Sequence, residues 1–600
     1  MRTLLLCFSL LALLSGCGDS APSGPELTVP QWQKLEIDFV GPATSENATE
    51  NPFTDYRLDV NFFHNDSVFV VPGFYAADGQ AAETSADSGS VWRVRFRPMI
   101  QGEWTYEAVM TKGADVATSG SQLTGERVEL KDGKGTIRVT APGAGERGRL
   151  VRNHPRYLQW KESGEYFLKG AADSPENFLA YQDFDGTYRH SKDFRDGEST
   201  TEGLHHFRAH EKDYQAGDPS WQDGKGKGMI GALNYLAGAG ANGFYFLTMN
   251  INGDGKDVWP YVSHDDPTRF DCSKLDQWEI VFDHADDKLG LMLHFVLQET
   301  ENETLLDDGD SGPERSLYVR ELVARFGHHR AVTWNLGEEN GPNNWSRKLG
   351  YQNTRQVIDF AQLVHDTDPY NNYTTVHTHP NPDTIRTIAT PYLNTSELDG
   401  ISLQIHHPHA VHEETRYWLE KSAEAGSPWI ATVDEIGPWF RGVDPDYRAE
   451  INNQDSIRAL LLWGNLMAGG GGVEYYFGAH NDHNDLGMED WRSRNNVWNW
   501  TGNTLRFFRD HVPFHRMDSR DDMVDNGAYC LAAEDEDVYL VYLPVGGETT
   551  IGLTDEEVWS LRVFDPQTDE LVEAAGELTD GPFVLKAPAG EDRAFLLEKK

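Results

Sequence analysis

Between about residues 145 and 516, short apolar segments alternate with helical stretches eight times along the sequence. This rhythm is typical of parallel strands joined by crossover helices. Eight such units predict a (β/α)8 TIM barrel, in which the reacting groups lie at the C-terminal ends of the strands. The chain is therefore expected to be multidomain, with a central barrel over residues 145–516. The predicted strands cover residues 166–170, 243–249, 289–296, 331–336, 373–377, 400–405, 429–433 and 472–477.

Strand-rich regions flank this barrel on both sides. Over residues 30–125, apolar side chains recur at every second position, as in the run from Trp92 to Arg97, where arginines occupy the intervening positions. Such alternation indicates half-buried strands of antiparallel sheets. Residues 521–600 also consist of short strand-like runs separated by turns. We therefore expect an N-terminal β-sandwich over 30–125 and a C-terminal β-sandwich over 521–600.

The first residues have the pattern of an export signal. A basic start is followed by an apolar run from Leu4 to Leu14, too short to span a bilayer, and then by Leu14-Ser15-Gly16-Cys17. This arrangement resembles the bacterial lipoprotein signal. The resemblance implies a signal peptide over 1–16, lipidation of Cys17, a tether over 17–29, and attachment to the outer membrane on its periplasmic or cell-surface side. An ordinary signal peptide with an incidental cysteine is the alternative.

The charge balance excludes one class of partner. The sequence holds 96 acidic against 52 basic residues, a net charge of −44. This field repels nucleic-acid phosphates and anionic lipid headgroups. We expect no nucleic-acid partner, and contact with a membrane only through the lipid anchor. Outside the signal region, Cys272 and Cys530 permit one disulfide but do not predict it.

Acidic residues follow two of the predicted barrel strands directly. Glu338 and Glu339 come after the fourth strand, and Asp434 and Glu435 come after the seventh. Hydrolysis of a glycosidic bond with retention needs two carboxyl groups about 5 to 5.5 Å apart, one as nucleophile and one as acid and then base. Glu435 and one residue of the Glu338-Glu339 pair are the candidates for these roles.

These motifs resemble those of the large clan of retaining barrel glycosidases. Glu435-Ile436-Gly437 looks like the nucleophile motif on strand seven of that clan, and the lead-in from Trp334 to Gly337 looks like that of apiosidase-like relatives on strand four. The resemblance implies that Glu435 is the nucleophile and Glu339 the acid/base, while Glu338 is the second choice. We expect the neighbouring anion and partial burial to raise the pKa of Glu339. Glu338 stands where the clan usually has asparagine, which is a departure from the pattern.

The whole chain resembles bacterial lipoprotein glycoside hydrolases with an N-terminal sandwich, an apiosidase-like barrel and a C-terminal sandwich of a type described as collagen-binding. The resemblance implies a carbohydrate substrate and no cofactor or metal. The acidity and the anchor suggest that the poly- or oligosaccharide is a marine algal glycan. Residues expected to bind the sugar are Trp334, Glu338, His377, His406, His407, Trp439 and Tyr475.

Two other functions are left open. The first is a non-catalytic surface lipoprotein that binds glycans. The second is lytic elimination on a uronic-acid polymer, which the negative charge and the scarcity of Lys and Arg at strand ends disfavour. The segment from Asn250 to Tyr261 begins like a calcium loop but lacks the acidic twelfth position, which leaves a structural cation there open. The oligomeric state cannot be predicted from the sequence.

Overall fold

The computed structural model describes residues 24–119, 125–190, 203–342, 350–448, 452–553, 557–574, 578–579 and 581–600. The predicted signal peptide and Cys17 lie outside these ranges. Within them, no helix combines the length and the hydrophobicity that crossing a bilayer requires. Part of the predicted tether is ordered, because Glu26–Pro30 forms a strand that pairs in parallel with Lys134–Thr140.

Eight parallel strands form the central sheet, which confirms the predicted TIM barrel. Their order is five, four, three, two, one, eight, seven and six. A bridge between His377 and Ser402, beside strands five and six, nearly closes the sheet on itself. Numbered along the chain, strands one to eight are Lys169–Ala172, Gly243–Leu247, Met292–Val296, Val332–Asn335, Tyr373–Thr375, Gly400–Ile405, Ile430–Ile436 and Gly472–Tyr475.

Helices surround the barrel, and local sequence signals fix several of their ends. Asn353 caps one helix, because its side chain accepts hydrogen bonds from the backbone N–H groups of Arg355 and Gln356. Pro313 and Pro382 each begin a helix, where the missing N–H is tolerated. The helical segments of at least eight residues are Lys227–Ala239, Cys272–Asp283, Pro313–Phe326, Thr354–Thr367, Pro382–Ala389, Val411–Ala425 and Asn495–His511. A further helical stretch before strand eight comprises Gln454–Ser456, Ile457–Leu462 and Trp463–Met467.

The first barrel strand lies further along the chain than the sequence predicts. The apolar pair Tyr166–Phe167 belongs to a small antiparallel sheet with Leu150–Val151 and Leu158–Trp160, and the barrel strand follows at Lys169–Ala172. This small sheet packs against apolar residues at the beginnings of barrel strands, such as Met292. It therefore covers the N-terminal end of the barrel, opposite the strand ends where the acidic residues lie.

Two sheets precede the barrel. One contains Glu26–Pro30, Tyr56–His64, Ser67–Pro72, Gly102–Lys112, Glu126–Val128 and Lys134–Thr140, and the other contains Leu35–Ser45, Phe74–Tyr75 and Ser88–Phe96. A short helix, Ala81–Thr84, lies between the last two strands. Apolar side chains of both sheets share one core, in which the rings of Phe62 and Phe96 stack 3.9 Å apart. That these sheets form a separate sandwich domain stays a prediction.

The arginines that alternate with apolar residues in Ser88–Phe96 and just beyond it do not face solvent. Arg95 is 2% exposed and donates to Asp276 at 3.0 Å. Arg97 is fully buried and donates to both oxygens of Asp287, at 3.0 and 3.1 Å. Because both aspartates belong to the barrel, the strand is buried on both faces, and ion pairs join the N-terminal sheets to the barrel.

The C-terminal residues form two further antiparallel sheets. Six strands pair in one sheet, and two pair in the other. Trp463, from the helical stretch before strand eight, is fully buried against Tyr542 of this region, with ring centroids 4.4 Å apart, so its ring joins the barrel to the C-terminal sheets. The thiols of Cys272 and Cys530 are both free. The strands are Asp518–Ser519, Tyr529–Ala533, Val538–Leu543, Trp559–Asp565, Glu570–Glu573 and Arg593–Lys599 in the larger sheet, and Gly547–Ile551 and Phe583–Ala587 in the smaller.

Candidate active site

Glu338 and Glu339 lie in the turn that follows strand four, at the C-terminal end of the barrel. The backbone of Glu339 is in the left-handed region, with φ of 40°. Neighbouring strands hold this turn in place, because the Glu339 N–H donates to Nδ1 of His377 at 3.0 Å and the Glu338 N–H donates to the Gln298 carbonyl at 3.0 Å. A non-glycine residue fixed in this conformation is a feature that clusters at functional sites.

Glu339 is the partly exposed carboxylate of this region, with 27% of its side chain accessible. Oε2 lies 3.6 Å from Nδ1 of His379. Burial pushes the pKa of Glu339 upwards, but hydrogen bonds from His379 and Gln404 and the charge of His379 outweigh burial and lower it below its usual value. The expected raised pKa is therefore wrong for the free cleft, because a histidine that follows strand five stabilises the carboxylate.

Glu435 is the second-last residue of strand seven and lies deeper, with 3% of its surface exposed. Its pKa is raised well above the usual value by burial first, and then by the negative charges of Glu339 and Glu338. A hydrogen bond from Gln404 of strand six opposes this shift. Gln404 pairs with Glu435 in the strand register and acts on the pKa of Glu339 as well, so both carboxyl groups lie in its neighbourhood.

His377 follows strand five and faces Glu435. Burial lowers the pKa of His377 to about 4, so the ring is neutral. Its Nδ1 accepts the backbone N–H of Glu339, which places the ring proton on Nε2. Nε2 lies 3.8 Å from Oε2 of Glu435, so the ring directs a donor towards that carboxylate.

Two further buried carboxyl groups, those of Glu338 after strand four and Glu176 after strand one, lie beside Glu435. One carboxylate oxygen of each, together with one of Glu435, lies within 4.8 Å of the other two. Burial raises the pKa of Glu338 to about 8. Burial and the charge of Asp485 raise that of Glu176 well above its usual value. At neutral pH these neighbouring carboxyl groups therefore hold protons.

A second buried polar group lies inside the barrel. Lys169 of strand one forms ion pairs with Asp434 and with Glu474 of strand eight, the latter at 3.1 Å. Nδ1 of His294 lies 2.9 Å from Glu474, and its Nε2 lies 3.1 Å from the amide of Asn335. These hydrogen bonds join strands one, three, four, seven and eight across the interior of the barrel, so they fix the positions from which the site residues extend.

Three of the predicted sugar-binding residues follow strands six and seven at the C-terminal end of the barrel and are accessible to solvent. His406 is partly exposed, and the charge of Glu339 acts on its pKa. His407 is exposed next to it. Trp439 is 48% exposed after strand seven, and its ring centroid lies 5.1 Å from that of His480. Adjacent to it, Phe440 is 44% exposed, so two aromatic faces are accessible to a ligand.

Trp334 and Tyr475 are not cleft residues. Trp334 is 1% exposed, packs on Phe295 and donates its Nε1 hydrogen to Asp368 at 3.0 Å. Tyr475 is also 1% exposed, and its hydroxyl lies 2.6 Å from that of Thr501 in an outer helix. Both side chains point from their strands into the surrounding helices. The prediction that they bind sugar is therefore wrong.

The sequence interpretation missed the acidic residues after strand one. Asp173 and Glu176 lie beside Glu338 and Asp485, as the mutual effects on their pKa values show. The signal was present as Asp173-Ser174-Pro175-Glu176 directly after Lys169–Ala172. It was missed because the strand was placed at 166–170, which put these carboxylates several residues beyond the predicted strand end.

Known proteins share this architecture. Residues 28–111 match a family described as a domain of unknown function, DUF5060. No curated protein sequence matches the chain. A candidate glycoside hydrolase from Bacteroides vulgatus ATCC 8482 aligns with a TM-score of 0.64 at 16% identity, over 96% of this chain and 100% of that chain. A glycoside hydrolase family 5 structure from the same organism aligns with a TM-score of 0.53 at 15% identity, over 75% of this chain and 92% of that chain.

At these identities the likeness establishes the fold. The chain has the barrel architecture of those structures, and its acidic cluster lies at the C-terminal end of the barrel, where barrel enzymes carry their active sites.

Proposed function

We propose that this protein is a retaining glycoside hydrolase in which Glu435 is the nucleophile and Glu339 is the acid/base. The observation that carries the proposal is the position of the His377 ring between the two residues: Nδ1 accepts the backbone N–H of Glu339 at 3.0 Å, and Nε2 lies 3.8 Å from Oε2 of Glu435. Two residues that meet opposite sides of one imidazole ring lie close together, and the charge of Glu339 acts on the pKa of Glu435. The double-displacement mechanism requires such proximity, with the two carboxyl groups about 5 to 5.5 Å apart.

The depths of the two groups support this division of roles. The nucleophile has to contact the anomeric carbon of a bound sugar, and buried Glu435 lies on the floor of the cleft. The acid/base has to contact the leaving oxygen and later a water molecule, and Glu339 is partly exposed. Glu435 would attack the anomeric carbon while Glu339 protonates the leaving oxygen, and Glu339 would then deprotonate the water that hydrolyses the glycosyl-enzyme.

Substrate binding has to reverse the protonation of the pair. In the free cleft the pKa of Glu435 is raised and that of Glu339 is lowered. A bound sugar removes water from Glu339 and so raises its pKa, while the positive charge that develops at the anomeric carbon favours ionised Glu435. His379, whose pKa is raised by Glu339, is the adjacent proton donor.

The accessible aromatic faces of Trp439 and Phe440 support a carbohydrate substrate, because sugar rings pack on such faces. His406 and His407 would donate hydrogen bonds at the same rim. We propose a poly- or oligosaccharide, with marine algal glycans as its source, and attachment to the outer membrane through Cys17. The support for the anchor is the lipoprotein-like sequence ending at that cysteine.

The test is the release of reducing sugar by the chain beginning at Gly18, over a panel of plant and algal polysaccharides. We expect Glu435→Gln and Glu339→Gln each to abolish release. The matched control is Glu413→Gln, on the outer helix Val411–Ala425. Release that survives in both variants would place the site elsewhere. No release from any polymer, together with retention on a glycan array, would favour the non-catalytic binding protein.

A second measurement separates Glu339 from Glu338 as the acid/base. With an activated aryl glycoside, the Ala variant of the acid/base should still form the glycosyl-enzyme, and azide should restore turnover as a glycosyl azide that retains configuration. We expect this rescue for Glu339→Ala. Rescue of Glu338→Ala instead would transfer the role to Glu338.

A further inference from the structure

Among the described residues, three clusters of side chains have the spacing of a cation site; each contains carboxylates, and two also contain histidine. In each, one ligand atom per residue lies within 4.8 Å of all the others. The clusters differ in what balances their charge. They consist of Glu279, Asp283, His328 and His329; of His294, Asp434 and Glu474; and of Glu176, Glu338 and Glu435.

The first two clusters already contain a cation from the protein. Nζ of Lys34 lies 2.8 Å from Glu279 and also contacts Asp283. Nζ of Lys169 contacts Asp434 and lies 3.1 Å from Glu474. These ammonium groups stand where a metal ion would otherwise bind, so both clusters are structural ion-pair networks.

The third cluster has no such partner. Across the described ranges, no Lys or Arg forms an ion pair with Glu176, Glu338 or Glu435, and the His377 ring, 3.8 Å from Glu435, is neutral. Protons on the carboxyl groups can reduce the repulsion among them. An ion of opposite charge would remove it more completely.

Unpaired polar atoms within this cluster also indicate a missing ligand. Oε2 of Glu338 is buried, with the residue 6% exposed, and no N–H or hydroxyl group donates to it, so only a proton shared with the carboxyl groups of Glu299 and Glu176 could satisfy it. The adjacent Oδ2 of Asp173, 1% exposed, and the hydroxyl of Tyr245, 2% exposed, also lack partners. Glu338, Glu176 and Asp173 all act on the pKa of Tyr245, so these atoms share one locality. Buried polar groups are rarely left unsatisfied without a bound water or ion.

The ligand chemistry indicates a hard cation. All three ligands are carboxylates, with neither thiolate nor imidazole among them, which suits Ca²⁺ rather than a softer metal. Ca²⁺ binds oxygen at about 2.3 to 2.6 Å, so two of its ligands are separated by at most about 5 Å. We propose that Glu176, Glu338 and Glu435 bind a divalent cation of the Ca²⁺ type on the floor of the cleft.

A cation at this position affects catalysis, and this consequence rests on the proposed function. Glu435 cannot attack a sugar while it ligates a metal ion. We therefore expect Ca²⁺ to inhibit hydrolysis in competition with substrate, and EDTA to restore the rate. Binding of the cation itself does not depend on the protein being an enzyme.

The experiment measures Ca²⁺ binding to the EDTA-treated, dialysed chain by isothermal titration calorimetry, in about 0.15 M NaCl to screen the many exposed carboxylates. We expect one site per chain. Glu176→Gln and Glu338→Gln should each weaken it at least tenfold, whereas Glu474→Gln, in the cluster that holds Lys169, should not change it. Thermal unfolding of each variant without Ca²⁺ shows that it is folded.

Terbium gives an independent readout. Tb³⁺ replaces Ca²⁺ at oxygen-ligand sites, and Tyr245 beside the cluster would sensitise its luminescence. We expect this signal to be lost in Glu338→Gln and displaced by Ca²⁺ in the unmodified chain. The absence of specific Ca²⁺ binding, or binding unchanged in both cleft variants, would overturn the proposal. Binding without any hydrolytic activity would leave the cation site standing and refute the glycosidase instead.

Discussion

The carboxyl group of Glu46 offers a quantitative test of how the N-terminal sheets are joined to the barrel. It follows strand Leu35–Ser45, is 5% exposed, and accepts the backbone N–H of Cys272 at 2.7 Å, at the start of a barrel helix. Asp271, which caps the same helix, is a second negative charge close by. Burial, and then the charge of Asp271, raise the pKa of Glu46 to about 7.

This shift makes stability depend on pH in a defined direction. The folded chain keeps the Glu46 proton up to about pH 7, whereas the unfolded chain releases it near the usual value of 4.5. The contribution of Glu46 to stability is therefore fully present below pH 4.5 and is lost as pH rises through 7. A difference of about 2.5 pKa units corresponds to about 3 kcal/mol.

Replacing Glu46 by Gln removes the ionisation and should make the protein more stable than the wild type at alkaline pH. If the chain of 600 residues unfolds as a unit, about 3 kcal/mol corresponds to an increase in Tm of about 2 to 3 °C. Scanning calorimetry at pH 5 and pH 9 would measure this difference, with Glu129→Gln on the exposed surface of the same sheets as control. A Tm difference that is the same at both pH values would refute the reasoning.

Two further substitutions test buried ion pairs. Lys169→Met leaves Asp434 and Glu474 without their cation. We expect the free energy of unfolding, measured by urea titration, to fall by about 3 to 5 kcal/mol. A fall below about 1 kcal/mol would show that protons replace the ammonium group. Arg458→Met removes the guanidinium that donates to both oxygens of buried Asp592, at 3.1 and 2.6 Å. We expect proteolysis of the C-terminal sheets to be faster in this variant, and the added Asp592→Asn substitution to restore part of the resistance. Equal proteolysis rates in the single and double variants would contradict the pairing.

The barrel could be predicted from the sequence because its strands are short apolar runs between clear helices. Strand six was placed at 400–405, the bounds that the structure gives. The positions of Glu339 and Glu435 followed, because in a parallel barrel the carboxyl ends of all strands meet at one face. His377, which follows strand five, lies at the same face for the same reason.

The orientation of side chains within a strand could not be predicted. In strand four, Asn335 points into the barrel, where its amide meets His294, so the preceding Trp334 points outwards. In strand eight, Glu474 points inwards and Tyr475 outwards. Alternation gives the period of a buried strand, but when both faces are covered it does not show which set of residues faces the interior.

The pKa of Glu339 could not be predicted either. The direction of the pKa shift depends on His379, a residue 40 positions away that the fold brings to within 3.6 Å of Glu339. Likewise, the alternating arginines near residue 95 have the same pattern whether water or a second protein surface covers them.

The buried contacts of Arg95 and Arg97 have a consequence for the history and the engineering of this chain. Each of these arginines supplies the counter-charge for an aspartate that belongs to the barrel. A barrel produced without the preceding sheets would expose both aspartates and leave them only the barrel's own arginines, Arg325 at 3.8 Å from Asp276 and Arg330 at 3.1 Å from Asp287. We therefore do not expect either part to fold well on its own. We expect the N-terminal sheets and the barrel to be inherited and truncated as one unit. The segment near residue 145 should then behave as part of a folded body rather than as a flexible linker.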